Sequence, residues 1–171
     1  MNIRPAHVTD AASIESIYGH YVRHSVLAVD VDNPPTARDW EQRLDHLAAS
    51  GYPTLVAVDD RAVVGYALLT PWLAKPAFTH TAENSIYLAP YAVGAGLGRQ
   101  LLARLLDDAR GCSIREVIAL VADGDHEGRP SRALHLRAGF QPAGRLQRVG
   151  RKQGRFTDVD FLQLSLQPKE N

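Results

Sequence analysis

A glycine-rich segment between an apolar run and an amphipathic stretch most constrains how this chain folds. Three glycines fall within residues 94–98, after an apolar run that ends at Pro90 and before Leu101, Leu102, Leu105 and Leu106. The run has the composition of a strand, and the leucines have the spacing of a helix. Glycines let backbone N–H groups approach an anion, and a helix N-terminus adds favourable partial charge. The segment therefore predicts a strand, an anion-binding loop and a helix in succession.

Hydrophobic periodicity predicts the remaining elements in the order βααβββαβαββ, an α/β domain with a mixed sheet of six or seven strands and four helices. Strands are expected at residues 1–7, 54–58, 62–69, 83–88, 116–122, 141–150 and 157–166. The first two helices are expected from a Thr9 or Asp10 cap to His24 and from a Thr36 cap to Gly51. A third follows Gly98, and a fourth at about 131–138 ends at Gly139.

Composition is that of a soluble globular protein with one domain, residues 1–171. Hydrophobic residues make up 45% and charged residues 22% of the 171. Nineteen basic residues balance nineteen acidic ones, which argues against nucleic-acid and membrane partners, and the basic run 145–155 is expected to be a solvated hairpin. The lone Cys112 excludes an intramolecular disulfide and a cysteine-rich zinc site, and no run is long enough to span a membrane. We expect a cytoplasmic protein without a metal.

Two common phosphate-binding motifs fit the glycine segment less well than a pyrophosphate site does. A P-loop ends in Gly-Lys-Ser/Thr, whereas Gly98 is followed by Arg99 and Gln100. A Rossmann fingerprint is G-x-G-x-x-G in an opening βαβ unit, whereas this chain has G-x-G-x-G after several predicted hairpin strands. Glu116 lies near the expected position of a ribose-binding acid, so a dinucleotide site stays open as an alternative.

A resemblance to a known family begins at this segment. The runs Ile86-Tyr87-Leu88-Ala89-Pro90 and Gly94-Ala95-Gly96-Leu97-Gly98-Arg99 resemble the acetyl-CoA motif of GNAT acetyltransferases. The resemblance implies the GNAT fold, with acetyl-CoA as cofactor. It implies that the pantetheine arm lies along Ile86, Tyr87 and Leu88. It also implies that the pyrophosphate is held by Val93, Gly94, Ala95, Gly96, Leu97, Gly98 and Arg99.

Other short motifs, in order along nearly the whole chain, resemble the phosphinothricin N-acetyltransferase branch. They are residues 17–22, 63–67 and 83–87, Leu134-His135 with Gly139-Phe140, and residues 154–158. The resemblance implies acetyl transfer to the amino group of a small molecule, such as phosphinothricin, methionine sulfone or methionine sulfoximine. Members of this branch are commonly dimers, so it also implies a homodimer.

Departures from the family pattern bear on affinity and on the acceptor. The family loop usually carries arginines where this chain has Tyr91, Ala92, Val93 and Ala95, which predicts weaker cofactor binding. In the segment that shapes the acceptor pocket, the common arginine, tyrosine and tryptophan are replaced by Lys75, Phe78, Thr79 and His80. The acceptor is therefore left open.

Glu83 and His135 are the candidate catalytic residues. Acetyl transfer needs a base for the amine, a donor that polarises the thioester carbonyl, and a proton for the thiolate. Glu83 matches the family's acidic position; the alternative is a surface glutamate at a strand end. His135 lies where many acetyltransferases have a tyrosine acid; the alternative is a core histidine beside Phe140. The resemblance assigns carbonyl polarisation to the N–H of Leu88.

The remaining candidates are binding residues. Ser131 either contacts the cofactor or caps the last helix. The first helix offers Tyr18, His20 and Tyr21 to the acceptor, although aromatic residues at helical spacing are often core. Lys75 and Arg155 are candidates for attracting a carboxylate or phosphinate, and Phe78 for shaping the pocket.

Three functions are compatible with these patterns. They are a small-molecule N-acetyltransferase, an acyl-CoA-binding domain without catalysis, and a protein or peptide N-acetyltransferase. Direct transfer in a ternary complex is expected, because Cys112 follows Gly111 in a predicted turn remote from the glycine segment and is a poor acyl carrier.

Overall fold

The computed structural model describes residues 1–28, 33–73, 75–123 and 126–166. Within them, one sheet is formed by β1 (Asn2–Pro5), β2 (Thr54–Asp59), β3 (Ala62–Pro71), β4 (Thr81–Leu88), β5 (Glu116–Asp123), β6 (Gln141–Lys152) and β7 (Arg155–Ser165). The helices are α1 (Ala11–His24), α2 (Ala37–Ala49), α3 (Leu97–Arg110) and α4 (Arg129–Arg137). Short 3₁₀ helices cover Val8–Asp10, Pro76–Phe78 and Pro90–Ala92. The predicted order and the mixed α/β architecture are confirmed.

The sheet has an opening in its interior. Its strand order is β1-β2-β3-β4-β5-β7-β6, and only the β4–β5 pair is parallel. That pairing runs from Thr81↔Glu116 to Asn84↔Ala119 and then stops. β4 stays paired with β3 as far as Leu88, and β5 stays paired with β7 as far as Asp123. Beyond Asn84 the two strands therefore separate, and we call the space between residues 85–88 and 120–123 the β4–β5 gap.

Helices cover both faces of the sheet. On the α3–α4 face, the leucines that predicted α3 are at most 4% exposed and pack on Leu55 and Ala57 of β2. On the α1–α2 face, Ile14 and Trp40 pack on Val56 between them. Successive strand residues point to opposite faces, so each strand contributes to both cores.

An aromatic cluster lies on the α1–α2 face. The Trp40 ring meets Tyr18 and Tyr66 edge-on, at centroid distances of 5.7 and 5.5 Å. Tyr66 stacks on Tyr87 of β4 at 5.6 Å. Offset and edge-to-face contacts of this kind stabilise the packing beyond the area they bury. The cluster ties α1 to β4 through Tyr18 and Tyr87, and α2 to β3 through Trp40 and Tyr66.

The β6–β7 hairpin is longer than the sequence predicted. Its turn consists of Gln153 and Gly154, both with positive φ (51° and 75°), as a two-residue type I′ hairpin requires. The basic run 145–155 is largely exposed as expected, but Lys152 is an exception at 6% exposure. Its Nζ donates to the carbonyl oxygen of Ala28 at 2.6 Å, which ties the hairpin to the segment after α1.

The prediction that Ser131 caps the last helix is wrong. α4 begins at Arg129, its N-cap is Gly128, and Pro130 occupies its first turn, where a missing N–H costs nothing. A Cβ on Gly128 would lie 2.4 Å from the carbonyl oxygen of Ala122. Only glycine therefore lets α4 start this close to β5, and Ser131 lies inside the helix.

Candidate active site

Backbone N–H groups of β4 face the β4–β5 gap. Ala89 N–H donates to Val64 of β3 at 2.8 Å, whereas the carbonyl of His80 accepts from Arg115 and Glu116 on the β5 side. Successive residues of a strand direct their backbone groups to opposite sides, so the even-numbered positions of β4 face β5. At Ile86 and Leu88 the pairing with β5 has already ended. Their N–H groups therefore present a strand edge to an extended ligand.

The glycine loop leads from this edge into α3. Gly94 and Gly96 have positive φ, 94° and 78°, and a Cβ on either would meet nothing within 4 Å. Gly96 is the N-cap of α3, so the unpaired N–H groups of the first helical turn open onto the same free space. Exposed Arg99 lies in that turn. An open backbone cradle with positive partial charge fits the pyrophosphate of a coenzyme A thioester.

A cationic groove of about 260 Å³ lies between α3 and α4. Leucines line part of it, and three guanidinium groups, from Arg99, Arg110 and Arg137, surround it. Arg110 pairs with Asp107. Arg99 and Arg137 have no carboxylate partner within the described part of the chain, so their charges are open to an anion.

Glu83 is a half-buried carboxylate on the α1–α2 face of the sheet. It is the third residue of β4 rather than the first, because the strand begins at Thr81. Among residues 1–28, 33–73, 75–123 and 126–166 its carboxylate has no hydrogen-bond or ion-pair partner. Burial raises the pKa of Glu83, and the positive charge of Arg43 offsets part of that rise. A carboxylate with a raised pKa is a stronger proton acceptor than a solvated one.

The sequence did not single out Arg43, whose positive charge acts on the carboxylate of Glu83. It lies on α2 with its guanidinium carbon 5.1 Å from the centre of the Trp40 ring. An exposed arginine on an amphipathic helix has no distinguishing sequence pattern.

His135 is buried at the junction of α4 and β4. Its Nδ1 is 2.8 Å from the carbonyl oxygen of Ser131, so Nδ1 carries the proton and donates it. Its Nε2 is 3.2 Å from Oδ1 of Asn84, and Nδ2 of Asn84 has no partner among the described residues. If the oxygen and nitrogen of the Asn84 amide are exchanged, Nδ2 of Asn84 donates to the unprotonated Nε2 of a neutral His135. Burial lowers the pKa of His135, against the Ser131 contact, so the neutral ring is favoured.

Tyr21 and His20 lie near the end of β4. The hydroxyl of Tyr21 donates to the carbonyl oxygen of Leu88 at 2.8 Å, and burial raises the pKa of Tyr21. Half-exposed His20 borders a groove of about 270 Å³ beside Tyr91. Tyr18 is 8% exposed and packs in the aromatic cluster. Of the three candidates on α1, Tyr21 therefore lies beside the gap-lining backbone, and Tyr18 is placed as a core residue.

The other acceptor candidates lie in connections between elements. Lys75 and Phe78 belong to the segment between β3 and β4, at the end of β4 where Glu83 lies, and both are exposed. Arg155 donates to Glu127 at 2.9 Å, and Glu127 also accepts from the Ser25 hydroxyl at 2.8 Å. The guanidinium of Arg155 is thus engaged in an ion pair that ties β7 and the segment before α4 to the end of α1.

The dinucleotide alternative is wrong. Glu116 opens β5 and accepts hydrogen bonds from Gln163 and Ser165 of β7. Because β4 and β5 are parallel, Glu116 lies at the opposite end of the sheet from the glycine loop.

Cys112 follows the C-terminal end of α3, which places it one helix length, about 20 Å, from the glycine loop.

Comparison with known proteins identifies the class that this fold and site define. Residues 15–140 match the Acetyltransferase (GNAT) family. The chain belongs to the GNAT acetyltransferases, and acetyl-CoA is the cofactor that its gap and glycine loop fit.

Several relatives carry names that specify an acceptor. The chain is 36% identical to the L-amino acid N-acyltransferase MnaT of Escherichia coli, covering 97% of this chain and 94% of that protein. It is 37% identical to an L-methionine sulfoximine/L-methionine sulfone acetyltransferase of Salmonella typhimurium, covering 97% and 95%. It is 36% identical to a phosphinothricin N-acetyltransferase of Alcaligenes faecalis, covering 96% and 82%.

Solved structures match the fold closely. The structure of yncA, a putative acetyltransferase of Salmonella typhimurium with its cofactor acetyl-CoA, superposes with a TM-score of 0.93 at 34% identity, covering 100% of this chain and 96% of that one. A phosphinothricin acetyltransferase of Sinorhizobium meliloti in complex with acetyl-CoA gives a TM-score of 0.90 at 34% identity, covering 99% and 94%.

Proposed function

We propose that this enzyme acetylates the amino group of a free amino acid or a close analogue, such as methionine sulfone, methionine sulfoximine or phosphinothricin. The observation that supports it most is the placement of Glu83, a half-buried carboxylate without a partner among the described residues, two residues before the part of β4 that lines the β4–β5 gap. The names of the relatives support the acceptor class.

Glu83 is the general base in this proposal. When bound, acetyl-CoA would supply an acetyl thioester. A neutral amine takes the acetyl group as the carbon–sulfur bond breaks, and the second proton that its nitrogen loses as the amide forms balances the charge of the departing thiolate. The carboxylate of Glu83 accepts the proton that the ammonium must lose, directly or through one water. The N–H of Leu88 faces the gap and donates to the carbonyl oxygen of the acetyl group. The Tyr21 hydroxyl donates to the carbonyl oxygen of the same residue, so the two backbone groups of Leu88 lie beside the Tyr21 side chain.

His135 contributes less to catalysis than Glu83 in this proposal. Because its neutral form is favoured and Nδ1 is committed to Ser131, a proton reaches a leaving thiolate only after Nε2 has taken one up. Its contact with Asn84 positions it on the side of β4 opposite to Glu83. We therefore expect larger losses from changes at Glu83 than from changes at His135.

Cofactor binding is assigned to the edge of β4 and to the glycine loop. The arm lies along Ile86, Tyr87 and Leu88, and the loop from Val93 to Arg99 holds the phosphates. Ser131, in the first turns of α4, stays a candidate for contact with the cofactor. Arg137 adds a charge that the sequence alone did not indicate.

Thiol release from acetyl-CoA with a panel of amines tests this function. The panel contains phosphinothricin, methionine sulfone, methionine sulfoximine, ordinary amino acids, polyamines and a peptide with a free N-terminus. Rapid release with amino acids or analogues, abolished in Glu83→Gln, supports the proposal. Thiol release with the peptide alone would instead identify a protein N-acetyltransferase. Binding of acetyl-CoA without thiol release for any amine would identify an acyl-CoA-binding domain without catalysis.

We further propose that the enzyme is a cytoplasmic homodimer. β6 is an edge strand of the sheet, and the hairpin exposes Leu146 at 48%, Val149 at 56% and Phe156 at 51%. An exposed edge strand with apolar side chains is a natural pairing surface. Light scattering after gel filtration should give twice the mass of the chain, and Val149→Lys should reduce this mass to that of one chain.

In the part of the chain that the structure describes, no helix has the length and apolarity of a membrane span.

A further inference from the structure

Residues 25–28, which follow α1, lie across the β4–β5 gap, and we call them the bridge segment. On the β4 side, the Tyr87 hydroxyl donates to the carbonyl oxygen of Leu27 at 3.3 Å. On the β5 side, the carboxylate of Glu127 accepts from the Ser25 hydroxyl at 2.8 Å. Glu127 follows the end of β5, and the next residue packs on that strand end. One segment is therefore hydrogen-bonded to both sides of the gap, beyond the point where strand pairing ends.

The contacts of the bridge segment on the β5 side converge on Glu127. One carboxylate oxygen accepts from the Ser25 hydroxyl and from the N–H of Val26 at 3.2 Å, and the other accepts from Arg155 at 2.9 Å. The Ser25 hydroxyl oxygen in turn accepts from the N–H of Leu27 at 3.1 Å. Burial acts to raise the pKa of Glu127, but these donors lower it below its ordinary value, so the carboxylate is charged at neutral pH. Hydrogen bonds to a charged acceptor are stronger than those between neutral groups.

The bridge segment is packed against the α1–α2 face. Val26 and Ala28 are buried, and Ala28 belongs to the core of that face. The carbonyl oxygen of Ala28 accepts from Lys152 of the β6–β7 hairpin at 2.6 Å. At the other end, Tyr21 in the last turn of α1 contacts the carbonyl oxygen of Leu88. The bridge segment therefore covers the gap from the end of β4 to the hairpin.

We propose that Glu127 is a positioning residue, which holds the bridge segment over the acyl end of the cofactor and so keeps water from the thioester. The proposal rests on the proposed function, which places the thioester carbonyl at the N–H of Leu88. Water attacking the carbonyl carbon would break the carbon–sulfur bond and give acetate, the free thiol and one proton. A covered site prevents this side reaction, so that the acetyl group passes to the acceptor amine.

The first measurement is amide hydrogen exchange in the protein without cofactor. Glu127→Ala should accelerate exchange at the N–H groups of Val26 and Leu27 about 10- to 100-fold, the effect of losing a hydrogen bond to a charged group. Glu127→Gln should be intermediate, because its amide oxygen still accepts a hydrogen bond but carries no charge. The control is Glu41→Ala, which removes an exposed glutamate from α2 and should leave both amides unchanged.

The second measurement is the ratio of acetate to acetylated amine formed from acetyl-CoA and methionine sulfone. This ratio should rise about tenfold in Glu127→Ala, the lower end of the same range, and less in Glu127→Gln. It should stay at the wild-type value in Glu41→Ala.

Three results would overturn the role of Glu127 while the proposed function stands. They are unchanged exchange at Val26 and Leu27, faster exchange with an unchanged product ratio, and an equal acceleration at the core amides of β3, which reports a general loss of stability. If the wild-type enzyme acetylates no amine, the proposed function fails and the shielding of the thioester fails with it.

Discussion

Glu83 and His135 lie on opposite faces of the central sheet, although His135 contacts Asn84, the residue that follows Glu83 in β4. Adjacent strand residues point to opposite faces, so the contact with Asn84 itself excludes a side-chain contact between His135 and Glu83. The two candidates therefore lie on different sides of the strand, and their contributions can be measured separately.

We expect Glu83→Gln to lower kcat about 100- to 10,000-fold, the usual contribution of a positioned general base. In the wild type, kcat/KM should fall on acidification through the raised pKa of Glu83, because the protonated carboxyl cannot accept a proton. Thiol-release rates across a pH series check both. Glu41→Gln, an exposed glutamate on α2, is the control. Retention of most activity in Glu83→Gln would exclude the assignment.

The same substitution should increase stability at neutral pH. The folded pKa of Glu83 lies above the ordinary value of 4.5, so the native state holds this proton more tightly than the unfolded state. The free energy of unfolding therefore decreases as pH rises from that value through the folded pKa. Glu83→Gln removes this loss, so its melting temperature should exceed that of the wild type at pH 7 and match it near pH 4. A lower melting temperature at pH 7 would contradict the argument.

His135 should make the fold sensitive to acid. Burial lowers its folded pKa below the ordinary value of 6.5, so the unfolded state binds the proton more readily. Stability is therefore complete above pH 6.5 and decreases as pH falls through the folded pKa. Thermal unfolding at a series of pH values should show this decrease, and a His135→Gln variant should show less of it. Identical pH dependence in the two proteins would mean that His135 is not buried as a neutral ring.

Much of the fold could be predicted from the sequence, because the signals were local. The leucine spacing of α3, the glycines before it and the apolar runs of β2 and β3 each follow from the period of one element. The gap between β4 and β5 was implied by a family resemblance and not by any local pattern, since it depends on where the pairing of two distant strands ends.

The site was less predictable where it depends on tertiary contacts. The pairing of His135 with Asn84 joins residues 51 positions apart. Arg43 had no distinguishing pattern, and the start of α4 at Gly128 depends on close contact with β5. The capping role of Ser131 was wrong for that last reason.

Gly96→Ala should weaken acetyl-CoA binding, because the added methyl group occupies space that the cofactor needs. Gly96 and Gly51 share a positive φ, 78° and 73°, and a Cβ on either would point into open space, so alanine at either costs about 1–2 kcal/mol of backbone strain. Only at Gly96 does the new methyl group enter the space before the first turn of α3. KM for acetyl-CoA should rise about tenfold in Gly96→Ala, as for one lost charge-assisted hydrogen bond, and stay constant in Gly51→Ala. An equal change in KM for acetyl-CoA in the two variants would show that the glycine loop does not bind the cofactor.

Arg137→Glu should weaken acetyl-CoA binding about fivefold, because an exposed ion pair contributes up to about 1 kcal/mol. The effect should shrink as salt screens the groove. Calorimetric titration at low and high salt measures both, with Arg104→Glu as the control, since Arg104 lies on α3 outside the groove and pairs with Asp108. An unchanged dissociation constant in Arg137→Glu would remove the groove from the cofactor site.

The interruption of strand pairing at Asn84 also affects how readily the protein without bound cofactor aggregates. A continuous sheet has two edges, here β1 and β6, but one that opens in its interior has four. Unpaired strand edges are templates for pairing with other chains. In the proposed placement the cofactor arm covers these inner edges, so aggregation on storage should slow as acetyl-CoA or coenzyme A is added, even with no acceptor present. The cofactor would then protect the protein from aggregation as well as take part in turnover.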